Sequence, residues 1–478
     1  MVRRLDGGST IILLAYSRGK YESKLIAQIN LYLLMSYKTS TKHIYFFYCF
    51  GMHIAIDCNE FETIFFEIKL NKMKKLQLNA LMILMFGLMM MFVSSCGDDN
   101  PPVDPGTSTT ELLAKKFTSA PTLDGTVDEM WKTCQTLTGT AIVPDAGSRG
   151  SADFNGDGSN DPVGVFDPYT GESNNFNLRA GTFGERIYFL LEWDDKEDSK
   201  DRQSWYFDSS SKRWKGQHKY ANTKDDKFYE DKFAFLWAAT DVAGFAANTC
   251  YATCHQGLAV TDPSQKSSRH YTNNPGELVD MWHWKRVRCS VEPTTLDDQR
   301  MIYKKHTGNA DVNGRTGDAG DKGYHGNSQK LPLDGTGEEV SVPKYIIPNG
   351  TDYFWITKDQ IDNGTAKLVT GVSSDGILSY DGGSINPADG GYESKTGNKR
   401  FPSVYLENFT GSKADIAIAS KHTDKGWVCE FSRALDTGHS DDDVKFDTSK
   451  EFPFGMAIFN NAAIAHEIKT NLVLKFEK

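Results

Sequence analysis

Arg186-Ile187-Tyr188-Phe189-Leu190-Leu191-Glu192-Trp193 is short, apolar and rich in aromatic and branched residues, a composition that predicts a β-strand. Runs of the same kind lie on either side. Asp231-Lys232-Phe233-Ala234-Phe235-Leu236-Trp237 and residues 280–288 read as strands, as do residues 427–433, 452–459 and 471–476. Their alternation lets one face of each strand pack on a core while the other meets solvent or a second sheet. Gly is abundant at 42 residues and aromatics make up 12%, which suits β structure with many turns. After the short apolar start at residues 127–131 no long amphipathic helix is evident. The expected fold is therefore all-β, a β-sandwich with long Gly/Asp-rich loop insertions at about 303–339 and again at 373–399.

The chain has 478 residues and a formal net charge of -10, which argues against a nucleic-acid partner. It has no Gly-rich dinucleotide loop, no H-E-x-x-H and no G-x-S-x-G, so no familiar catalytic motif stands out. Eight cysteines in this length do not make a disulfide scaffold.

Met73-Lys74-Lys75 opens a charged segment, followed by an apolar run over 78–93 and then Val93-Ser94-Ser95-Cys96. This is the order of a secretory signal. Ending on cysteine, it resembles the lipobox of bacterial lipoproteins, in which that cysteine is lipidated and becomes the mature N-terminus. A short transmembrane anchor is the alternative. Residues 73–95 are thus expected to be a lipoprotein signal peptide with Cys96 as the lipidation site. Residues 1–72 are expected to be a disordered upstream extension before the true start at Met73. The polar, Pro-rich residues 96–116 are expected to form a flexible tether, with the folded domain over 117–478. The expected location is the cell envelope of a Gram-negative bacterium, on the periplasmic side or at the surface of the outer membrane.

Asp153, Asn155, Asp157 and Asp161, with Gly158 among them, partly fit a calcium loop. Gly164 stands where the bidentate glutamate belongs, and a solvated acidic turn is the other reading.

Cys250-Tyr251-Ala252-Thr253-Cys254-His255 offers two thiols and an imidazole directly after the second. Each thiol can add to a haem vinyl group, and the adjacent histidine is then held under the iron as an axial ligand. The loop is one residue longer than the usual C-x-x-C-H spacing. A structural disulfide or half of a zinc site would use the same residues.

Several stretches together resemble the haem-binding domain family related to the γ subunit of ethylbenzene dehydrogenase. They are Pro121-Thr122-Leu123-Asp124-Gly125 through Trp131, residues 187–194, Tyr229-Glu230-Asp231-Lys232, the hexapeptide at 250–255, Asp280-Met281-Trp282-His283-Trp284-Lys285, and residues 427–438 followed by 454–466. The resemblance implies an immunoglobulin-like β-sandwich holding one haem at its edge and acting in electron transfer. In the b-type γ subunit of that family a methionine and a lysine bind the iron. The resemblance puts His255 in the methionine's place, and His466 near the lysine's.

A six-coordinate electron-transfer haem needs a second, non-exchanging ligand. His466 is the first candidate, Met281 and His283 are alternatives, and His270 sits in a basic turn expected at the surface. Met281 and His283 are two apart in a strand and point one way, with Trp282 and Trp284 on the opposite face. Lys285 and Arg288, with Arg286 beside them, could pair with haem propionates. Trp193, Trp237, Trp282 and Trp284 are expected to pack the core, and Cys134, Cys289 and Cys429 to be buried thiols unless two of them pair.

The function expected from these readings is a lipid-anchored mono-haem c-type cytochrome that exchanges electrons with redox partner proteins and is not itself an enzyme. Two alternatives stand beside it: a γ-like haem subunit of a molybdenum oxidoreductase, and a haem-free carbohydrate-binding sandwich in which Cys250 and Cys254 form a disulfide.

Overall fold

The structure is a computed structural model. It describes residues 106–144, 169–219, 227–253, 270–303 and 314–478, except 394 and 398, together with two short strands near the N-terminus. Those two, Met35–Lys38 and His43–Phe46, pair antiparallel within a first unit, Met1–Val103. The signal peptide, Cys96, the calcium segment 153–161, Cys254 and His255 lie outside the described residues. Among the described residues no helix is long and apolar enough to cross a membrane.

The second unit, Asp104–Lys478, is built on one thirteen-stranded sheet. Its strands are β1 (Thr107–Ser108), β2 (Glu111–Lys116), β3 (Thr136–Ile142), β4 (Ser173–Phe183), β5 (Arg186–Asp194), β6 (Lys232–Ala238), β7 (Leu278–Lys285), β8 (Asp297–Ile302) and β9 (Arg315–Gly317). β10 (Ala417–Thr423), β11 (Gly426–Ala434), β12 (Phe452–Phe459) and β13 (Glu467–Phe476) complete it. The order is β9-β8-β7-β6-β12-β13-β2-β4-β5-β11-β10, with β1 and β3 beside this path. Most pairs are antiparallel, but β2 lies parallel to both β13 and β4.

The sheet doubles over, so that β6 and β7 face β5 and β11 across a core of aromatic rings. Phe233 meets Phe431 at 5.2 Å between ring centroids, Phe189 meets Trp282 at 5.6 Å, and Trp284 meets Trp427 at 4.9 Å. Trp193, Trp237, Trp282 and Trp284 are all buried there, as expected of a sandwich core. Each such side chain contributes about 2 kcal/mol through burial, and offset or edge-on ring contacts add to that. The all-β sandwich read from the strand runs is the observed architecture.

The Asp124-Gly125 turn is fixed by a residue that alternation alone would send outward. Glu430 is fully buried in β11 and accepts from the backbone of Asp124 (3.0 Å) and Gly125 (2.9 Å) and from Trp131 Nε1 (2.8 Å). Gly125 has a φ of +72°, and a Cβ there would come within 3.0 Å of Lys421 Cβ. The turn can therefore close on the sheet only with glycine at that point.

Two boundaries differ from expectation. The tether does not extend to residue 116, because β2 is a strand whose Leu112 and Ala114 are buried in the main core. The inserted region also reaches beyond 303–339 and has regular structure. Trp205, Phe207 and Trp214 pack with Leu333, Val342, Val369, Leu378 and Phe401 in a core of their own. Its apolar residues are spread thinly among Gly and Asp, so no single run shows a strand's signature.

Candidate functional site

A strand with one wet face should show every second residue exposed, yet all eight residues of β7 are buried. The main core covers Trp282 and Trp284, as expected for one face. The other face carries a second apolar layer: Ala234 and Leu236 from β6, Val279 and Met281 from β7, Met301 from β8 and Phe459 from β12. Met281 and His283 thus do face away from the tryptophans, and toward this layer rather than toward water.

Two connections close over the layer. One contains the helical turn Phe245–Asn248 and the 3-10 turn Thr249–Ala252, which brings Cys250 to the layer's border. The other is the β12–β13 connection, which contributes Ala462, Ile464 and Ala465. Thr249, directly before Cys250, is fully buried with φ 44° and ψ -116°. A β-branched residue in that region costs about 1–3 kcal/mol, a strain that persists only where surrounding contacts impose it. Gly455 in β12 makes the approach possible, since a Cβ there would lie 3.0 Å from Thr249 Oγ1 and 3.4 Å from the Cys250 nitrogen. Gly455→Val is therefore expected to push the Cys250 turn off the sheet and lower stability by about 1–3 kcal/mol, read by denaturant unfolding. Neither Thr249 nor Gly455 stood out in the sequence. The only hint was a glycine inside an otherwise apolar strand, which often marks a close backbone approach.

Phe459 lies between two histidines, 5.6 Å from the His283 ring and 4.8 Å from the His466 ring, with near-parallel planes. The two imidazoles differ in whether Nδ1 carries a proton. His466 Nδ1 lies 2.6 Å from the carbonyl of Ile464. A carbonyl only accepts, so Nδ1 carries a proton and donates it to Ile464. His283 Nδ1 lies 3.0 Å from an Arg315 guanidinium nitrogen. That group only donates, so His283 Nδ1 accepts and its Nε2 carries the proton. Burial first, then the charges of Lys285 and Arg315, holds His283 well below the usual imidazole range, so it is neutral. Its Nε2 is buried, with no hydrogen-bond partner among the described residues.

The cations near the layer are already committed. Lys285 pairs with Asp297, and Arg288 donates to Glu230 at 2.6 Å. Both are buried, and each is held by a carboxylate of the chain itself. Arg286 pairs with Asp198 at 2.5 Å. Lys232 is almost fully buried, with Nζ 2.9 Å from the Ala463 carbonyl and 4.1 Å from the centroid of Phe459. Burial, reinforced by Arg288, puts Lys232 well below its ordinary pKa.

Cys134, Cys289 and Cys429 are buried and form no disulfide with one another. Burial raises the first two thiols to about 11 and about 12, which makes them inert packing residues.

No curated protein matches the chain. Among solved structures it is similar to a carbohydrate binding module family 9 from Caldicellulosiruptor kristjanssonii in complex with glucose. That likeness has 10% identity, covers 77% of this chain and 95% of that one, and has a TM-score of 0.24. Residues 128–470 match the ethylbenzene dehydrogenase family over most of the sandwich, including both borders of the apolar layer. The chain therefore belongs to the ethylbenzene dehydrogenase family, which relates it to an oxidoreductase complex.

Proposed function

We propose that this chain is an electron-transfer protein carrying one covalent haem c on the outer face of β6, β7, β8 and β12. Cys250 and Cys254 form the thioethers, and His255 and His466 are the axial ligands. The observation that carries the reading is the second apolar layer itself. The layer lies under the two connections that carry Cys250 and His466, so the first attachment thiol and the proposed second ligand border the same apolar surface. When bound, haem supplies a one-electron couple whose potential depends on axial ligands and burial.

The chain's own groups fit such a ligand. His466 donates Nδ1–H to the Ile464 carbonyl, the kind of hydrogen bond that orients a ligating imidazole, and in its neutral form it would bind iron through Nε2. His283 uses its Nδ1 lone pair on Arg315, so its Nε2–H is suited to donate rather than to ligate. Met281 keeps a thioether in the apolar layer and is the second choice. The surrounding aliphatic residues keep water away, which favours a low-dielectric site.

Family membership supports a place beside an oxidoreductase, as a γ-like subunit that passes electrons to partner proteins. Attachment to the cell envelope through a lipid on Cys96 completes the proposal. The test of the ligand set is the visible spectrum of protein from a host able to attach haem. His466→Ala is expected to turn a low-spin spectrum high-spin. An unchanged spectrum would move the assignment to Met281.

A further inference from the structure

We infer that Asp280, Asp298 and Asp443 form a binding site for one hard divalent cation, of which Ca2+ fits best. The three residues come from β7, β8 and the connection before β12, and all are buried. One oxygen from each lies within 4.8 Å of the others. Calcium binds oxygens at about 2.3–2.6 Å, so ligands on opposite sides of one ion stand roughly that far apart. The donors are all carboxylates, with no histidine or thiolate, which favours Ca2+ over transition metals.

A second observation points to the same place. Asp318, just beyond β9, is 4% exposed, yet among the described residues neither of its carboxylate oxygens has a hydrogen-bond partner. Asp280 accepts with one oxygen from Arg433 at 2.8 Å and from the Val444 nitrogen at 3.0 Å, while its other oxygen has no hydrogen-bond partner within normal distance among the described residues. Asp298 likewise keeps one oxygen without a partner. Native interiors rarely leave buried carboxylates in that condition. Arg433 also binds Asp443 at 3.2 Å, Arg300 lies 3.6 Å from Asp318 and 3.1 Å from Asp442, and Lys413 Nζ lies 3.0 Å from the Asp298 carbonyl, but these three cations do not balance the carboxylates of Asp280, Asp298, Asp318, Asp442 and Asp443. Asp318 is close enough to Asp280, Asp442 and Asp443 to interact with them electrostatically, which puts it beside the cluster. The position is on the inner side of β7, on the same face as Trp282, so it is separate from the layer that borders Cys250.

The test uses the full chain, stripped with a chelator and then titrated with CaCl2, with MgCl2 in parallel. Saturating Ca2+ is expected to raise the melting temperature by about 5 °C or more. Asp298→Asn and Asp318→Asn should each remove most of that rise. Asp157→Asn, in the separate acidic segment, should keep it. In chelator the Asp298→Asn variant should melt at or above the wild type, because a repelled buried charge has gone. The assignment is overturned if the wild type shows no rise, if Asp298→Asn retains it, if Asp157→Asn abolishes it, or if Asp298→Asn melts below the wild type in chelator. An equal rise with MgCl2 would overturn the choice of Ca2+.

Discussion

Replacing Cys250 and Cys254 together by alanine is expected to abolish haem staining after denaturing electrophoresis, whereas the parent chain from a maturation-competent host stains. The effect should be complete, because only a covalent bond keeps the group on an unfolded chain. Either single substitution leaves one thioether, so those bands should still stain. The double variant also separates attachment from binding. The apolar layer contributed by Leu236, Val279, Met281, Met301 and Phe459 remains in it, so a native spectrum can persist without a stained band. A colourless parent chain would end the haem reading, and a stained double variant would end the role of these two thiols.

Glu230→Gln is expected to destabilise the fold by about 3–5 kcal/mol, the usual cost of breaking a buried ion pair from one side. Glu230 is fully buried and accepts from Arg288 Nε at 2.6 Å and from the backbone nitrogens of Val287 and Arg288 at 2.7 Å and 3.1 Å. Arg202 lies 3.1 Å away. The carboxylate thus ties the entry of β6 to the exit of β7. Burial alone would raise its pKa, but Arg288 and Arg202 outweigh burial and bring it from the ordinary 4.5 to about 2. Its folded value is depressed, so its stabilisation is fully present above pH 4.5 and is lost as pH falls toward about 2. Urea unfolding at pH 7 and pH 3 should show this acid loss in the parent chain and a weaker one in the variant. Equal stability of the two at pH 7 would sink the argument.

The parts of this fold that could be read from the sequence are those where chemistry and period agree. Residues 186–193, 231–237 and 427–433 are apolar enough to declare strands, and the alternation around Trp282 correctly separated Met281 and His283 from the tryptophans. Buried charge was not legible. Glu230 and Glu430 occupy positions that a polar–apolar pattern assigns to solvent, Asp280 and Arg433 stand as charges on the core face of their strands, and only partners distant in sequence make their burial tolerable. The same holds for the ion pairs of Lys285 and Arg288, because Asp297 and Glu230 are not their sequence neighbours. The small core around Trp214 and Phe401 was hidden for another reason: its strands are two to six residues long, too short to show a period.

The parallel placement of β2 determines when the molecule can be finished during its synthesis. Leu112 and Ala114 pair with Leu474 and Phe476, and the Lys116 nitrogen donates to Glu477 at 2.8 Å. The first long strand to emerge must therefore wait for the last. Until then its edge is open and its apolar side chains are exposed, which is where a slow, non-local β topology is most open to misassembly. A chain that loses even its final ten residues would lack the strand lying between β12 and β2, so damage at the tail should be felt at the head.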